Sequence, residues 1–203
     1  LITWALMMNG GIQINNQGLR FSNEHRGYSE QAVDVLAQPE RIAWLGFDDR
    51  LLTLGREFEE FSLAEAAGAV CHCADPRELA QAIDVPGEAL TGTLAETAAW
   101  AEGDGEDPFG RDFTSQPALT SPLHAIKVTG ALFHTQGGLE IDRHARVLRP
   151  DGSALPNLYA GGGAACGVSG SQVWGYLSGN GLLTAVNLGR LAGQAAGEQI
   201  KAN

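Results

Sequence analysis

Short alternating runs open the chain, helical spacing fills its middle, and strand-like runs return before a last amphipathic stretch. Gly11-Ile12-Gln13-Ile14-Asn15 alternates apolar and polar positions as a strand does, and Asn16-Gln17-Gly18 is a turn signal. Leu19-Arg20-Phe21 resumes an extended pattern, so a hairpin is predicted here. Ile42-Ala43-Trp44-Leu45-Gly46-Phe47 predicts a further strand.

Residues 61–101 are rich in alanine and predict three helices. Ser62 is the expected cap of the first, with Glu65 as its capping-box partner and Gly68 as its stop. Asp75 followed by Pro76 starts the second, and Gly87 to Trp100 forms the third, with Leu90, Leu94 and Thr97 on one face. The stretch from Glu102 to Pro108 is acidic, full of breakers, and predicts an exposed loop.

From Leu123 the pattern is strand-like again. Residues 139–142 and Val147-Leu148 predict a hairpin around Arg143-His144-Ala145, and Asp151-Gly152 a turn. Leu158-Tyr159-Ala160 runs into the cluster Gly161-Gly162-Gly163. The closing helix spans about residues 181–199, with Leu182, Leu183, Val186, Leu191 and Ala195 as its expected buried face. Gly189 and Gly193 are expected to let a neighbouring backbone come close.

Composition narrows the function classes. The 203 residues are 44% hydrophobic and 18% charged, which suits a globular protein of one or two domains. A formal charge of −11 supplies no cationic stripe for nucleic acid or an anionic membrane surface. No apolar run reaches the ~20 residues needed to span a bilayer. Three cysteines form no disulfide framework, so a cytoplasmic setting is expected. The opening residues lack a leading Met and are read as the interior of a longer sequence, the end of a preceding segment over 1–9. Cys71-His72-Cys73 lacks a zinc spacing and a second pair, so no metal is expected there.

Four motifs stand in order along the chain. They are Gly11 to Glu24 (G-I-Q-I-N-N-Q-G-L-R-F-S-N-E), His134-Thr135-Gln136-Gly137-Gly138 with Asp142, Pro156 to Gly163, and Ser178-Gly179-Asn180-Gly181 leading to Leu188-Gly189-Arg190-Leu191-Ala192-Gly193. Together they resemble the fumarate reductase/succinate dehydrogenase flavoprotein superfamily, which includes ketosteroid dehydrogenases. The resemblance implies an α/β fold: an α+β capping domain over residues 10–118, followed over 119–203 by the C-terminal portion of a Rossmann-like FAD-binding domain. It implies an FAD-dependent oxidoreductase that moves a hydride between FAD and a carbon–carbon bond of an organic substrate. Its partners would be that substrate and the missing N-terminal FAD-binding part of the same protein.

The resemblance also assigns residues. His134, Thr135, Gly137, Gly138, Gly162 and Gly163 would face the flavin, with Ser178, Gly179, Asn180, Leu182 and Leu183 at a helix N-terminus that offsets negative charge on the reduced ring. Independently of the family, a glycine-rich turn lets backbone approach a flat ring where a Cβ would collide. Arg111 has two readings: a proton donor recharged through Glu24, or a surface residue paired with the acidic loop beside it. Tyr176 is either an acid in the site or an aromatic packed on the ring. For His25, His72, His124 and His144 the sequence offers only packing or solvation.

Three departures from the family pattern matter. The chain has no G-x-G-x-x-G after a leading strand, so the ADP half of FAD has no usual cradle. Phe133 stands where fumarate reductases have histidine, and residues 170–178 contain no arginine. A dicarboxylate then loses its charged clamp, so a less charged substrate facing Phe133, Trp174 and Tyr176 is expected rather than fumarate or succinate. Gly163 replaces a glutamate that contacts the cofactor in the family. A ketosteroid-dehydrogenase-like enzyme and a non-catalytic folded fragment without cofactor are the alternative readings.

Overall fold

The computed structural model describes residues 4–132 and 134–202. Phe133, an expected substrate contact, therefore lies outside the described residues. The chain divides into two compact units, Leu1–Ala131 and Leu132–Asn203.

In the first unit, helix α1 (Trp4–Met8) leads to strand β1 (Ile12–Ile14), helix α2 (Tyr28–Leu36) and strand β2 (Ile42–Asp48). Helices α3 (Asp49–Gly55) and α4 (Glu59–Ala66), strand β3 (Val70–Cys73), and helices α5 (Pro76–Ala82) and α6 (Gly87–Ala101) follow. Strand β4 (Leu123–Thr129) completes an antiparallel sheet of order β1-β2-β4-β3. The sequence reading closes the first region at residue 118. Because β4 pairs with β2 along its whole length and also with β3, the compact unit continues to Ala131.

Strand alternation gives the sheet two buried faces. Ile12, Ile14, Leu123 and Ala125 pack with Leu79 of α5, Leu90 of α6 and Phe113. Leu45, Phe47, Val70 and Ile126 pack with Leu6 of α1, Leu51 of α3 and Phe61 of α4. The unit is thus α+β, with helices on both sides of its sheet.

Side-chain caps set two of the helix starts. Asp75 accepts hydrogen bonds from the N–H groups of Arg77 and Glu78, with Pro76 at the first helical position, as the sequence predicts. Asp48 caps α3 through the N–H of Leu51. Ser62 is not a cap. Helix α4 begins three residues earlier, at Glu59, and the Ser62 hydroxyl donates to the Arg56 carbonyl. Glu65, its expected capping partner, binds Arg56 instead.

The predicted hairpin over residues 11–21 is also corrected. β1 pairs with β2, leaving residues 19–21 outside the sheet. The Asn15 side chain accepts from the N–H groups of Gln17 and Leu19, and Gly18 takes φ +79°. This side-chain-mediated turn leads the chain to Arg20, which is buried.

The second unit contains strands β5 (Arg146–Leu148) and β6 (Ala154–Tyr159), paired antiparallel, and the long helix α7 (Asn180–Ala202). Ile141 bridges Val147, which keeps a remnant of the hairpin expected around Arg143-His144-Ala145. Leu139 bridges Ala165, bringing the His134–Gly138 segment beside the chain that follows the glycine cluster. Val147, Ala160 and Ala165 form a small core with Ile141, Leu155 and Leu188 packed against it.

The expected buried face of α7 is partly wrong. Leu182, Leu183 and Val186 are 78%, 51% and 70% exposed, while Asn180 and Thr184 are buried. Leu191 and Ala195 are half-buried, as expected. The helix is turned so that its inward row begins at Asn180, whose side chain is bonded to Ser169. A Cβ built on Gly189 or Gly193 meets nothing within 4 Å, although the loop at Gly161 does approach the Gly189 backbone, where a Gly161 Cβ would stand 3.4 Å from its nitrogen.

Candidate functional site

Two clusters, one in each unit, hold the site residues expected from the sequence that the structure brings together. In the first unit, the turn at Asn15 aims Arg20 at Glu24, and both Arg20 nitrogens on that side engage the carboxylate, at 2.9 and 2.7 Å. The remaining Arg20 arm donates to Asp107 at 2.6 Å. Arg111 donates through Nη1 to Glu24 at 3.0 Å and to the Gly11 carbonyl at 2.9 Å. Its backbone N–H binds Asp107, and the Gln13 N–H binds Glu24. Two arginines and two carboxylates therefore neutralise one another under Phe113, whose ring centre lies 4.7 Å from the Arg20 guanidinium carbon and 4.4 Å from that of Arg111.

All four charged side chains are buried. Arg111 is consequently not a surface residue, and Asp107 turns inward from a loop whose other residues, 102–106 and 108, are exposed as expected. Burial works against the Glu24 charge, but the hydrogen bond and charge of Arg20, with the charge of Arg111, hold its carboxyl below the ordinary value. Burial pushes Arg111 down from the usual arginine range, with Glu24 opposing. Its Nε is buried without a partner among the described residues. Half-buried His25 donates through Nε2 to the Met7 carbonyl, 3.0 Å away, which the Arg111 Nη2 also approaches at 3.5 Å. Since a carbonyl only accepts, His25 carries its proton on Nε2 here.

In the second unit, the loop after β6 runs over α7. A Cβ on Gly161 would stand 3.0 Å from the Leu188 Cβ, and one on Gly162 would stand 3.2 Å from the Ala185 Cβ. Gly138 is similarly committed, because its Cβ would lie 2.4 Å from the Ala165 backbone. Gly138 and Gly162 are therefore close-packed within the unit, with no room for a side chain. Gly137, Gly163 and Gly179 have nothing within 4 Å of a built Cβ.

Around the start of α7, Ser169 Oγ accepts from Asn180 Nδ2 and from the Leu177 N–H, holding the loop onto the helix. Gln136 accepts from the Ser169 N–H, and its own Nε2 is buried without a partner among the described residues. The His134 ring lies against Gly181, where a Cβ would be 3.6 Å from its Cε1, and meets the Tyr176 ring edge-on at 6.1 Å. His134, Tyr176, Asn180 and the α7 N-terminus are therefore brought together. Thr135, Ser178, Gly179, Leu182 and Leu183 are exposed around them. Trp174 is 73% exposed.

Arg20, Asp107, Gln136 and Ser169 are participants that the sequence did not single out. Arg20 and Gln136 lie inside the quoted motifs, which was the available signal. Asp107 and Ser169 sit in loops whose partners are distant in sequence.

Open backbone at Gly137, Gly163 and Gly179, with an aromatic pair over a helix start, fits a flat, electron-accepting ring. The family model described as "FAD binding domain" matches residues 1–182, and the chain belongs to that family of flavoenzyme oxidoreductases. Over 202 residues it is 29% identical to an NADH:fumarate oxidoreductase of Klebsiella pneumoniae (strain 342), covering 99% of this chain and 21% of the relative. A KsdD-like steroid dehydrogenase of Mycobacterium tuberculosis is 44% identical over 101 residues, 47% of this chain and 18% of its own. The open conformation of a flavocytochrome c3 fumarate reductase superposes with a TM-score of 0.73 at 25% identity, over 95% of this chain and 33% of that one. The chain thus spans about a fifth to a third of the length of these proteins. Among the described residues no helix is long and apolar enough to cross a membrane.

Proposed function

We propose that this chain supplies the substrate-facing cap and the closing part of the FAD domain in an oxidoreductase acting on a carbon–carbon bond of a weakly charged organic substrate. The observation that carries the reading is the His134–Tyr176 pair over Gly181, at the start of α7. From Gly152 to Gly189 the sequence contains no charged side chain, so a dicarboxylate would meet no charge-assisted fork there. Trp174, Tyr176 and Phe133 are the proposed substrate contacts.

The flavin, when bound, supplies the hydride chemistry. His134, with the backbone at Gly137, Gly163 and Gly179, would hold the ring, and the N–H groups opening α7 would offset its negative charge. Ser178, Asn180, Leu182 and Leu183 would frame that end of the helix, with Asn180 acting through Ser169. Arg111, recharged from Glu24 along their 3.0 Å hydrogen bond, or else Tyr176, would exchange the second proton with the substrate carbon. Half-buried Tyr176, together with the steroid dehydrogenase similarity, favours an apolar ketone as a second substrate reading.

The test uses the full-length protein that contains this chain. It is expected to carry flavin absorbance and to turn over an uncharged enone or ketone in a dye-linked assay, with little activity on fumarate. A colourless protein that takes up no FAD would end the flavoenzyme reading. Robust fumarate turnover would end the weakly-charged-substrate reading.

A further inference from the structure

The triplet Cys71-His72-Cys73 lies on β3, and strand alternation parts it: Cys71 and Cys73 join the core on one face while His72 points to the other. There His72 stands directly opposite His124 of β4. Their Nδ1 atoms are 3.1 Å apart. The outer nitrogens are each held by an acid. His124 Nε2 lies 2.8 Å from Asp49 Oδ1, and His72 Nε2 lies 3.5 Å from Glu65 Oε1. Arg56 grips Glu65 at 2.8 and 2.6 Å, which fixes that carboxylate. Phe47 packs against the His124 ring from β2 at 5.5 Å.

In the tautomers that direct both outer nitrogens' protons toward the carboxylates, each neutral ring turns a lone pair toward the other. Two lone pairs at this distance repel unless a cation lies between them. A single proton can serve, and so can a metal ion. We propose that His72 and His124 bind one divalent transition-metal ion of the imidazole-preferring kind, such as zinc, copper(II) or nickel(II). An ion ~2.1 Å from each of two nitrogens 3.1 Å apart subtends roughly 95°, an ordinary angle between neighbouring ligands.

Asp49 and Glu65 complete the arrangement as the carboxylates that orient metal-bound histidines. Among the described residues no group of three or more His, Cys, Asp or Glu side chains converges on a metal position, so water fills the remaining coordination. His72 is 46% exposed at the side chain, which gives the ion a way in. The role is structural. β3 is an edge strand, and the ion pins it to β4 on the face where α3 and α4 carry the two carboxylates.

Copper(II) titration of the full chain, read by electron paramagnetic resonance, tests the site. One ion per chain with a two-nitrogen hyperfine pattern is expected, displaced by zinc. His72→Ala, made on a half-exposed edge position, should remove that pattern, whereas His144→Ala in the other unit should keep it. Glu65→Gln should weaken binding about 10–100-fold. Zinc should also raise the unfolding midpoint of the parent chain and not that of His72→Ala. Absence of the two-nitrogen signal, or its retention in His72→Ala, overturns the proposal.

Discussion

Glu24 and Arg111, 87 positions apart in sequence, form a 3.0 Å ion pair whose side chains are 0% and 1% exposed. Arg20 closes on the same carboxylate, so one acid holds two guanidinium groups away from water. Removing that acid leaves two buried cations with only Asp107 between them. Glu24→Gln is therefore expected to lower the stability of the chain by about 3–5 kcal/mol, the range found when one partner of a buried pair is removed. A urea midpoint within error of the parent would show that the network is not needed for folding.

The same carboxylate sets an acid dependence. Its pKa is depressed in the folded chain relative to the ordinary value of 4.5, so the unfolded chain binds the proton more readily. The stabilisation is fully present above about pH 4.5 and is lost as pH falls through the depressed folded value. Denaturant unfolding from pH 7 down to pH 3 should show a falling stability in the parent and a shallower fall in Glu24→Gln. Equal slopes would assign the acid dependence to other carboxylates, such as Glu65, Asp142 or Asp151.

Local signals were legible in the sequence and long-range ones were not. Asp75 with Pro76 starts α5 as read, because a cap needs only the two residues that follow it. The strand at Ile42 to Phe47 and the helix at Gly87 were likewise written in their own periodicity. Ser62 misled because residues upstream of it already satisfy helical spacing, and Phe61 finds its core partner in Phe47, 5.9 Å away. The burial of Arg111 depends on Glu24 and Gly11, about a hundred residues earlier, which no local pattern reports. His72 and His124 met only through the pairing of β3 with β4. On α7 the apolar residues suggested a buried face, yet Asn180 and Thr184 lie inward because Ser169 binds Asn180.

Glycines in the second unit should separate packing from ligand effects. Gly138→Ala sets a Cβ 2.4 Å from backbone that cannot move aside easily, so it should destabilise the unit by about 1–3 kcal/mol. Gly163→Ala meets nothing within 4 Å and needs no unusual φ, so the fold should be unchanged. If the flavin ring lies against this backbone, Gly163→Ala should still reduce FAD uptake by the full-length protein. Normal uptake with a normal melting curve would remove Gly163 from the proposed cofactor contacts.

The outward row of α7 offers a sharper test of the part this chain plays in a larger flavoprotein. Leu182 and Val186 are four residues apart on one helix face and project largely into solvent. An exposed aliphatic side chain contributes little to the stability of the chain that carries it, so Leu182→Lys and Val186→Lys should each change its unfolding free energy by less than about 0.5 kcal/mol. The expectation for the whole protein is opposite. If the remainder of the FAD domain packs on this face, each lysine places a charge in an apolar contact, and the double variant should express poorly or lose FAD. Comparing the melting midpoints of chain and full-length protein with and without the substitutions checks both halves. A full-length protein as indifferent as the isolated chain would mean that α7 meets the rest of the molecule through another face.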